Sequence, residues 1–143
     1  MKYNRVLAVG VFDLFHIGHL RYLQYAFQHS EYLMVAVSSD EICFNIKNKA
    51  AVIPEDQRLE IVRGLGWVDE ARLQPCSLNF PEAAVAWILD WQVDHLVIGG
   101  DWKGSERWIK LIPLLAEKGI TVDFAPRTEH ISTSDLVLSI KKS

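Results

Sequence analysis

The chain has 143 residues, 50% of them hydrophobic, and a formal net charge of -3. That length is typical of one domain with a substantial core, so we predict a single domain over residues 1–143. The sequence pI of about 5.9 excludes a broadly basic surface, and we expect no nucleic-acid partner. There is no secretory signal and no apolar run long enough to span a bilayer, so we expect a cytoplasmic protein without a membrane partner.

Strand-like apolar runs and helical patterns alternate along the chain. We predict strands at residues 6–9, 32–37, 70–73, 95–98 and 120–125. We predict helices at residues 20–28, from Pro54, from Pro81, at 108–118 and from Ser132. Pro113 should break or kink the fourth of these helices, because it lacks an N–H and clashes with the preceding turn.

This alternation predicts an α/β fold, with a single doubly wound, Rossmann-like, five-stranded parallel sheet and helices on both faces. In such sheets, ligands bind outside the carboxyl ends of the strands. The unusual polar stretches of the chain follow four of the predicted strands: residues 10–19, Asp40, residues 99–102 and residues 127–133. We therefore expect these loops to converge on one site.

The first of these stretches, residues 10–20, is a junction between a strand and a helix. Unpaired N–H groups and a positive dipole end attract anions at a helix N-terminus. His16 and His19 project from one face if the helix has begun by His16. Gly18 between them would let a bulky anion approach the backbone. The pattern predicts a polyphosphate site that contains two imidazoles.

Cations and a second helix start extend this prediction. Lys47 and Lys49 form a basic cluster that we place in the loop after the second strand, and Arg127 precedes the last helix. Ser132 and Thr133 offer hydroxyls beside free N–H groups at the start of that helix. The alternatives are a solvated lysine loop and a helix cap without a ligand.

The two histidines allow a second interpretation as zinc ligands, but no third and fourth ligand stands at a suitable spacing. Imidazoles that donate to phosphate oxygens fit better, because charge that builds on a pentacoordinate phosphorus needs donors already in place. Trp102 either packs near a base or acceptor or belongs to the core. Backbone groups at Gly99 and Gly100 either read a nucleobase edge or simply end a strand.

Together these residues resemble the cytidylyltransferase-like nucleotidyltransferases. Residues 10–13 followed by His16-Ile17-Gly18-His19 match the His-x-Gly-His signature of that family. Residues 127–133 resemble the Arg-Thr-Glu-Gly-Ile-Ser-Thr segment of glycerol-3-phosphate cytidylyltransferases, with His130 in place of glycine. Residues 100–104 resemble their Asp-Asp-Trp-Glu-Gly segment, with Gly100 in place of the first aspartate.

The resemblance implies an enzyme that transfers CMP from CTP to a small phosphorylated acceptor and releases pyrophosphate. It implies Mg²⁺ as the divalent cation, a homodimer, and a role in precursor synthesis for capsule or cell-wall polymers. It implies four catalytic residues: His16, His19, Lys49 and Arg127. The nucleotide-binding residues that it implies are Val11, Phe12, Asp13, Gly18, Gly100, Asp101, Thr128, Ile131, Ser132, Thr133 and Ser134. Lys47 and Trp102 are placed with the acceptor.

Two departures from the glycerol-phosphate pattern concern the acceptor. Gly66 stands where those enzymes have an arginine, and residues 74–81 contain no lysine or arginine. The acceptor is then a glycerol-3-phosphate-like molecule or another polyol, sugar or amino-acid-derived phosphate. Gly99-Gly100-Asp101 and residues 53–58 also resemble the adenylyltransferases of ADP-heptose synthesis, so ATP with a sugar phosphate is the first alternative. A nucleotide-binding module without catalysis is the second.

Overall fold

The computed structural model describes residues 2–129 and 131–142. Five parallel strands form one sheet in the order β3-β2-β1-β4-β5. The strands are β1 (Tyr3–Gly10), β2 (Ser30–Val37), β3 (Glu70–Leu73), β4 (His95–Gly99) and β5 (Thr121–Ala125). The α-helices are α1 (Ile17–Gln28), α2 (Asp40–Lys47), α3 (Glu55–Arg63), α4 (Pro81–Asp90), α5 (Glu106–Glu117) and α6 (Thr133–Lys142), with a 3-10 turn at Gly100–Trp102.

The sheet buries apolar side chains on both faces, as the sequence predicts. Successive residues of β1 point to opposite sides, so Leu7 joins a cluster with α4 and α5 while Val6 and Ala8 join a cluster that includes α1 and α3. All three side chains are fully buried. Helices therefore cover both faces, which confirms the doubly wound fold. The carboxyl ends of all five strands meet at one edge, where the predicted site residues follow them.

The structure corrects two predictions about local structure near the site. The segment that carries Lys47 is not a loop: residues 40–47 form α2, and Lys47 is its last residue. The signal was Ser39, whose side chain accepts a hydrogen bond from the Ile42 N–H and caps the helix. Helix α1 begins at Ile17, before the predicted start, and His16 is its N-cap rather than a helical residue.

Pro113 does not end α5, which continues from Glu106 to Glu117. The missing N–H of Pro113 leaves the carbonyl of Ile109 without its helical partner, and Ile109 itself is 64% exposed. Leu89, which the helical pattern places in the core, is 39% exposed at the end of α4. The longest described helices have 12 residues, and no helix within residues 2–129 and 131–142 has the length and apolar character needed to cross a membrane.

Candidate active site

The loop that leaves β1 has an unusual backbone. Phe12 and Leu14 adopt positive φ angles of 57° and 50°, which cost L-residues about 1 kcal/mol or more each. The Phe12 ring folds back so closely over Gly10 that a Cβ there would lie 2.9 Å from the ring. Burial of this ring, which is 2% exposed, offsets part of the strain. The tight turn delivers the chain to His16 at the sheet edge.

His16 and His19 form a stacked imidazole pair at the start of α1. Their ring centroids are 3.8 Å apart and the planes differ by 20°. His16 Nδ1 accepts from the Gly18 N–H at 3.0 Å, and His19 Nδ1 accepts from the His16 N–H at 3.2 Å. This is a capping box built from two histidines. Because both Nδ1 atoms accept, both neutral rings carry their hydrogen on Nε2.

The imidazole pair is held neutral. Burial lowers the pKa of His16. The pKa of His19 falls to about 4, because burial comes first and the neighbouring His16 adds to it, while Asp13 opposes the shift. At neutral pH the two rings are therefore hydrogen-bond donors through Nε2–H rather than cations. Such groups suit developing negative charge, since they are positioned before a ligand arrives.

Residue 18 must be glycine for a steric reason, in addition to the predicted access of an anion to the backbone. A Cβ at this position would lie 2.9 Å from Cε1 and 3.0 Å from Nδ1 of His16. It would also lie 3.5 Å from a methyl carbon of Ile131. The His16 ring can fold back over the helix start only because residue 18 has no side chain.

Asp13 ties the site loops together. Its carboxylate accepts from the N–H groups of Val52 and Ile53 at 2.8 and 2.9 Å. Its backbone carbonyl accepts from the Thr133 hydroxyl at 2.9 Å. Thr133 Oγ1 also lies 3.5 Å from His16 Nε2. The N-terminus of α6 is thus joined to the imidazole pair, as the sequence predicts for two helix starts at one site.

The segment before α6 carries the remaining nucleotide-site candidates. Ser132 caps the helix, because its Oγ accepts from the Asp135 N–H at 3.1 Å. Ile131 approaches Gly18, whereas Thr128 is half-buried and Ser134 is exposed. The His130 position lies outside the described residues.

Arg127 lies at the end of the sheet next to the 3-10 turn. Its Nε donates to Asp101 Oδ1 at 2.9 Å, and both side chains are mostly exposed. Gly100 lets the two segments meet: a Cβ there would lie 2.4 Å from the Ala125 carbonyl oxygen and 3.3 Å from the Arg127 nitrogen. An aspartate at this position would force the backbone apart, so the departure from the family segment has a local steric cause.

Arg58 is a site-supporting residue that the sequence analysis did not single out. Its side chain is fully buried. It donates to the carbonyls of Val11, Ser38 and Ile53 at 2.7–2.8 Å, and it forms an ion pair with Asp40 at 2.6 Å. One guanidinium therefore holds the loops after β1 and β2 and the segment before α3. The available signal was its place in the segment of residues 53–58, which resembles another nucleotidyltransferase.

A cavity of about 170 Å³, the sheet-edge cavity, opens beside these loops. Val9 and Gly10 at the end of β1 and Val11 just after it line one side. The other walls come from α2, the segment after β3, β4 and the start of α5: Ser38, Ile42, Cys43, Ile46, Lys47, Gln74, Leu78, Ile98, Trp102, Arg107 and Trp108. Lys47 and Trp102, the two residues that the sequence analysis placed with the acceptor, both line this cavity. It adds Arg107, which that analysis missed because nothing in its local spacing marks it.

Comparison with known proteins identifies the family of this chain. The family model described as cytidylyltransferase-like matches residues 7–138. The chain belongs to the cytidylyltransferase-like family. It is therefore a nucleotidyltransferase, and the loops that hold the imidazole pair are those of a nucleotidyltransferase fold.

Individual relatives agree on the family and differ in detail. The chain is 35% identical to the glycerol-3-phosphate cytidylyltransferase of Bacillus subtilis over 93% of this chain and 94% of the relative. It is 40% identical to choline-phosphate cytidylyltransferase A of Rattus norvegicus over 95% of this chain and 36% of the relative. It is 35% identical to the bifunctional protein HldE of Vibrio parahaemolyticus over 71% of this chain and 20% of the relative.

The fold has a solved counterpart. A crystal structure of the lipopolysaccharide core biosynthesis protein from Thermoplasma volcanium superposes with a TM-score of 0.70 at 28% identity. The superposition covers 87% of this chain and 98% of that one. The Rossmann-like nucleotidyltransferase architecture predicted from the sequence is thereby confirmed.

The predicted site residues of this nucleotidyltransferase fall into three groups. His16, His19, Gly18, Asp13 and Thr133 form one connected cluster. Arg127, Asp101 and Gly100 form a second at the 3-10 turn. Lys47, Trp102 and Val11 line the sheet-edge cavity, while Lys49 is exposed beyond α2 and forms no ion pair with any described residue.

The carboxylates of the site are already engaged. Asp13 binds two backbone N–H groups, and Asp101 pairs with Arg127. Within the described part of the chain, no three His, Cys, Asp or Glu side chains cluster as a metal centre. These residues do not fit a protein cage for Mg²⁺. The ion would fit only as a companion of the triphosphate oxygens, which is the usual mode of Mg²⁺ binding at phosphate sites.

Proposed function

We propose that the chain is a cytidylyltransferase that transfers CMP from CTP to a small phosphorylated acceptor and releases pyrophosphate. The observation that supports this most directly is the imidazole pair, in which both Nδ1 atoms accept from the backbone, so that each ring carries its donor hydrogen on Nε2, with Thr133 Oγ1 beside that of His16. The choice of CTP rests on the family and on relatives named cytidylyltransferases.

In the proposed reaction, an oxygen of the acceptor phosphate attacks the α-phosphorus of CTP in line. The new P–O bond forms as the bond from the α-phosphorus to the bridging oxygen breaks, and pyrophosphate leaves with the electron pair. Negative charge spreads over the phosphoryl oxygens in the transition state. His16 and His19 donate from Nε2 to these oxygens without any change of protonation.

Other residues orient the triphosphate. The N-termini of α1 and α6 supply backbone donors and the positive ends of two helix dipoles. Arg127 and Lys49 are the proposed cations for the nucleotide phosphates, and Thr128 to Ser134 are proposed to close over the nucleotide. Asp13 and Arg58 act indirectly, because they hold the loops that carry these groups.

A second candidate uses the same chemistry with ATP and a sugar phosphate. The identity with the bifunctional protein HldE and the superposition on a lipopolysaccharide core biosynthesis protein favour it. The two candidates differ in nucleotide and acceptor but not in the role of the imidazole pair.

A crossed assay separates these candidates. The purified protein with Mg²⁺ is incubated with CTP or ATP and, in turn, with phosphorylated polyols, alkyl alcohols, sugars and amino alcohols, and pyrophosphate release is measured. We expect release with CTP and one acceptor class. Release only with ATP and a sugar phosphate would establish the second candidate instead. Triphosphate binding without pyrophosphate from any pair would contradict both and leave a binding module.

A further inference from the structure

The sheet-edge cavity is mostly apolar. Its volume of about 170 Å³ is ample for a small organic molecule. Aliphatic and aromatic side chains form most of its wall, among them Ile42, Leu78, Ile98 and Trp108. A ligand body that enters it loses most of its water and gains mainly apolar contacts.

The polar side chains in the depth of the cavity are occupied by one another. Ser38 is 8% exposed and donates its hydroxyl to Gln74 Oε1 at 2.9 Å. Gln74 is 5% exposed and donates Nε2 to the Cys76 carbonyl at 2.8 Å. A ligand hydroxyl buried here finds few free partners, and burial of an unpaired hydroxyl is costly.

Two cations stand at this cavity without carboxylate partners in the described chain. Arg107 donates Nε to Asn79 Oδ1 at 2.9 Å, and its guanidinium carbon lies 4.5 Å from the centroid of the Trp102 ring. No described residue accepts from its two terminal nitrogens, while burial lowers its pKa. Lys47 lines the same cavity from the end of α2. An oriented guanidinium fork beside a lysine matches a phosphate dianion.

The cavity also lacks features that other acceptors need. None of its lining residues is a carboxylate, so a cationic head group finds no counter-charge. Arg107 already covers a face of Trp102, which removes that face as a cation–π surface. A sugar phosphate brings many hydroxyls, which would find few free partners there.

We propose that Arg107 and Lys47 bind the acceptor phosphate and that the sheet-edge cavity selects a phosphomonoester with an uncharged body that has few hydroxyls. This rests on the proposed function, because it names the acceptor class for that reaction. It also accounts for the absence of lysine and arginine from residues 74–81: the cation comes from α5 instead.

Binding of three probes tests the proposal without any turnover. n-Propyl phosphate and glycerol 3-phosphate share a three-carbon chain and differ by two hydroxyls, while phosphocholine adds a fixed positive charge. Calorimetry on the full chain should give a Kd for n-propyl phosphate about tenfold or more below that for glycerol 3-phosphate, with phosphocholine weaker still. Equal or tighter binding of glycerol 3-phosphate or phosphocholine would overturn the proposed class, and so would no measurable binding of any probe.

Variants of α5 test the cation. Arg107→Met should weaken the binding of n-propyl phosphate by about tenfold or more. Arg107→Lys should lose less affinity, because lysine keeps the charge but not the two-pronged donor geometry of the guanidinium. The matched control is Lys110→Met on the same helix, where Lys110 is exposed and pairs only with Glu106 in the described chain. Unchanged binding in both Arg107 variants would overturn the role of Arg107.

The pyrophosphate assay keeps the two proposals separable. Arg107→Met should raise KM for the acceptor by about tenfold or more and leave KM for CTP within about twofold. If wild type releases pyrophosphate from CTP but Arg107→Met leaves KM for the acceptor unchanged, the proposed function stands and this inference fails. If no acceptor yields pyrophosphate while alkyl-phosphate binding depends on Arg107, the phosphate site stands and the proposed function fails.

Discussion

The imidazole pair and the sheet-edge cavity lie at the same edge of the sheet but are built in opposite ways. In the imidazole pair, two rings, two backbone N–H groups and Gly18 satisfy one another within four residues of chain. The cavity is assembled from α2, α5 and loops that are far apart in sequence, and its two cations have no carboxylate partners among the described residues. The geometry of the first region is set before any ligand arrives, whereas we propose that a ligand phosphate completes the second.

This difference separates the reaction from its substrate. A pre-set donor pair serves phosphoryl chemistry whatever the acceptor is, because the charge to be stabilised is always on phosphate oxygens. In our proposal the cavity wall decides which acceptor body is accepted, so a change of a few side chains there should alter the substrate without disturbing the chemistry. Relatives that share the family and differ in their named acceptors fit this division.

The largest expected effect comes from the residue that supports both regions. Arg58→Met leaves the carbonyls of Val11 and Ser38 unpaired in a buried site and leaves Asp40 without its cation. We expect the free energy of unfolding to fall by about 3–5 kcal/mol. Urea denaturation measures it.

The matched control for this variant is Arg63→Met on the same helix. Arg63 is exposed and makes one hydrogen bond, to the Ala71 carbonyl. Loss of this hydrogen bond should lower the free energy of unfolding by no more than about 1 kcal/mol. Equal destabilisation by the two variants would mean that Arg58 does not hold the two regions together.

Next in size is the loss of one donor of the imidazole pair. His19→Ala should reduce turnover by about a hundredfold or more, equivalent to ~3 kcal/mol, because the transition state loses a pre-set hydrogen bond. Pyrophosphate release measures the rate, and circular dichroism checks that the fold is kept. His29→Ala, at the other end of α1, should retain normal turnover. A His19→Ala enzyme with wild-type turnover would break the assignment of the chemistry to this region.

A pH effect on stability follows from the depressed pKa of His19. The folded state binds the proton only near pH 4, whereas an unfolded histidine binds it near 6.5. Between these values the unfolded chain carries more protons, so this contribution is complete above about pH 6.5 and is lost as pH falls toward 4. We expect His19 to contribute about 2 kcal/mol to the free energy of unfolding at neutral pH, allowing for its partial exposure.

The measurement is the free energy of unfolding at several pH values from about 7 to 4, for wild type and for His19→Asn. Asparagine keeps an acceptor for the His16 N–H but does not titrate, so the loss of stability on acidification should be smaller in the variant. Parallel curves for the two proteins would show that His19 is not held neutral.

The smallest effect distinguishes a glycine at the start of α1 from a glycine in an open turn. Gly18→Ala places a methyl group against the His16 ring and should lower turnover by about tenfold while changing stability by less than about 1 kcal/mol. Gly66→Ala, where no atom lies within 4 Å of the new Cβ, should leave turnover unchanged. Assay of pyrophosphate release compares them. If Gly18→Ala is as active as Gly66→Ala, the exact position of the His16 ring does not matter.

Local chemistry explains which features were predictable from sequence. The five strands follow from apolar runs, and the imidazole pair follows from a signature four residues long. Helix α2 was missed because it has eight residues and only one buried side chain, Cys43, so its helical pattern is weak. The prediction that Pro113 would break α5 was wrong, because the helix continues through it at an exposed position, where Ile109 is 64% exposed, and sequence alone does not give that exposure.

The cavity was only partly predictable for a related reason. Lys47 and Trp102 were associated with the acceptor through the family resemblance, but Arg107 was not, because its partners Asn79 and Trp102 lie in other segments. Arg58 was missed because a buried arginine that pairs with carbonyls looks like any surface arginine of a helix. Homodimer formation and the Mg²⁺ requirement stay predictions.

The most direct test of the central claim is the state of the two imidazole rings in solution. Nitrogen-15 NMR of the histidine side chains at pH 7 should show both His16 and His19 neutral, with hydrogen on Nε2 and none on Nδ1. Addition of CTP with Mg²⁺ should shift the Nε2–H signals of both rings, while His29 stays unchanged. Hydrogen on Nδ1 of either ring, or Nε2 signals that do not respond to CTP, would contradict the account.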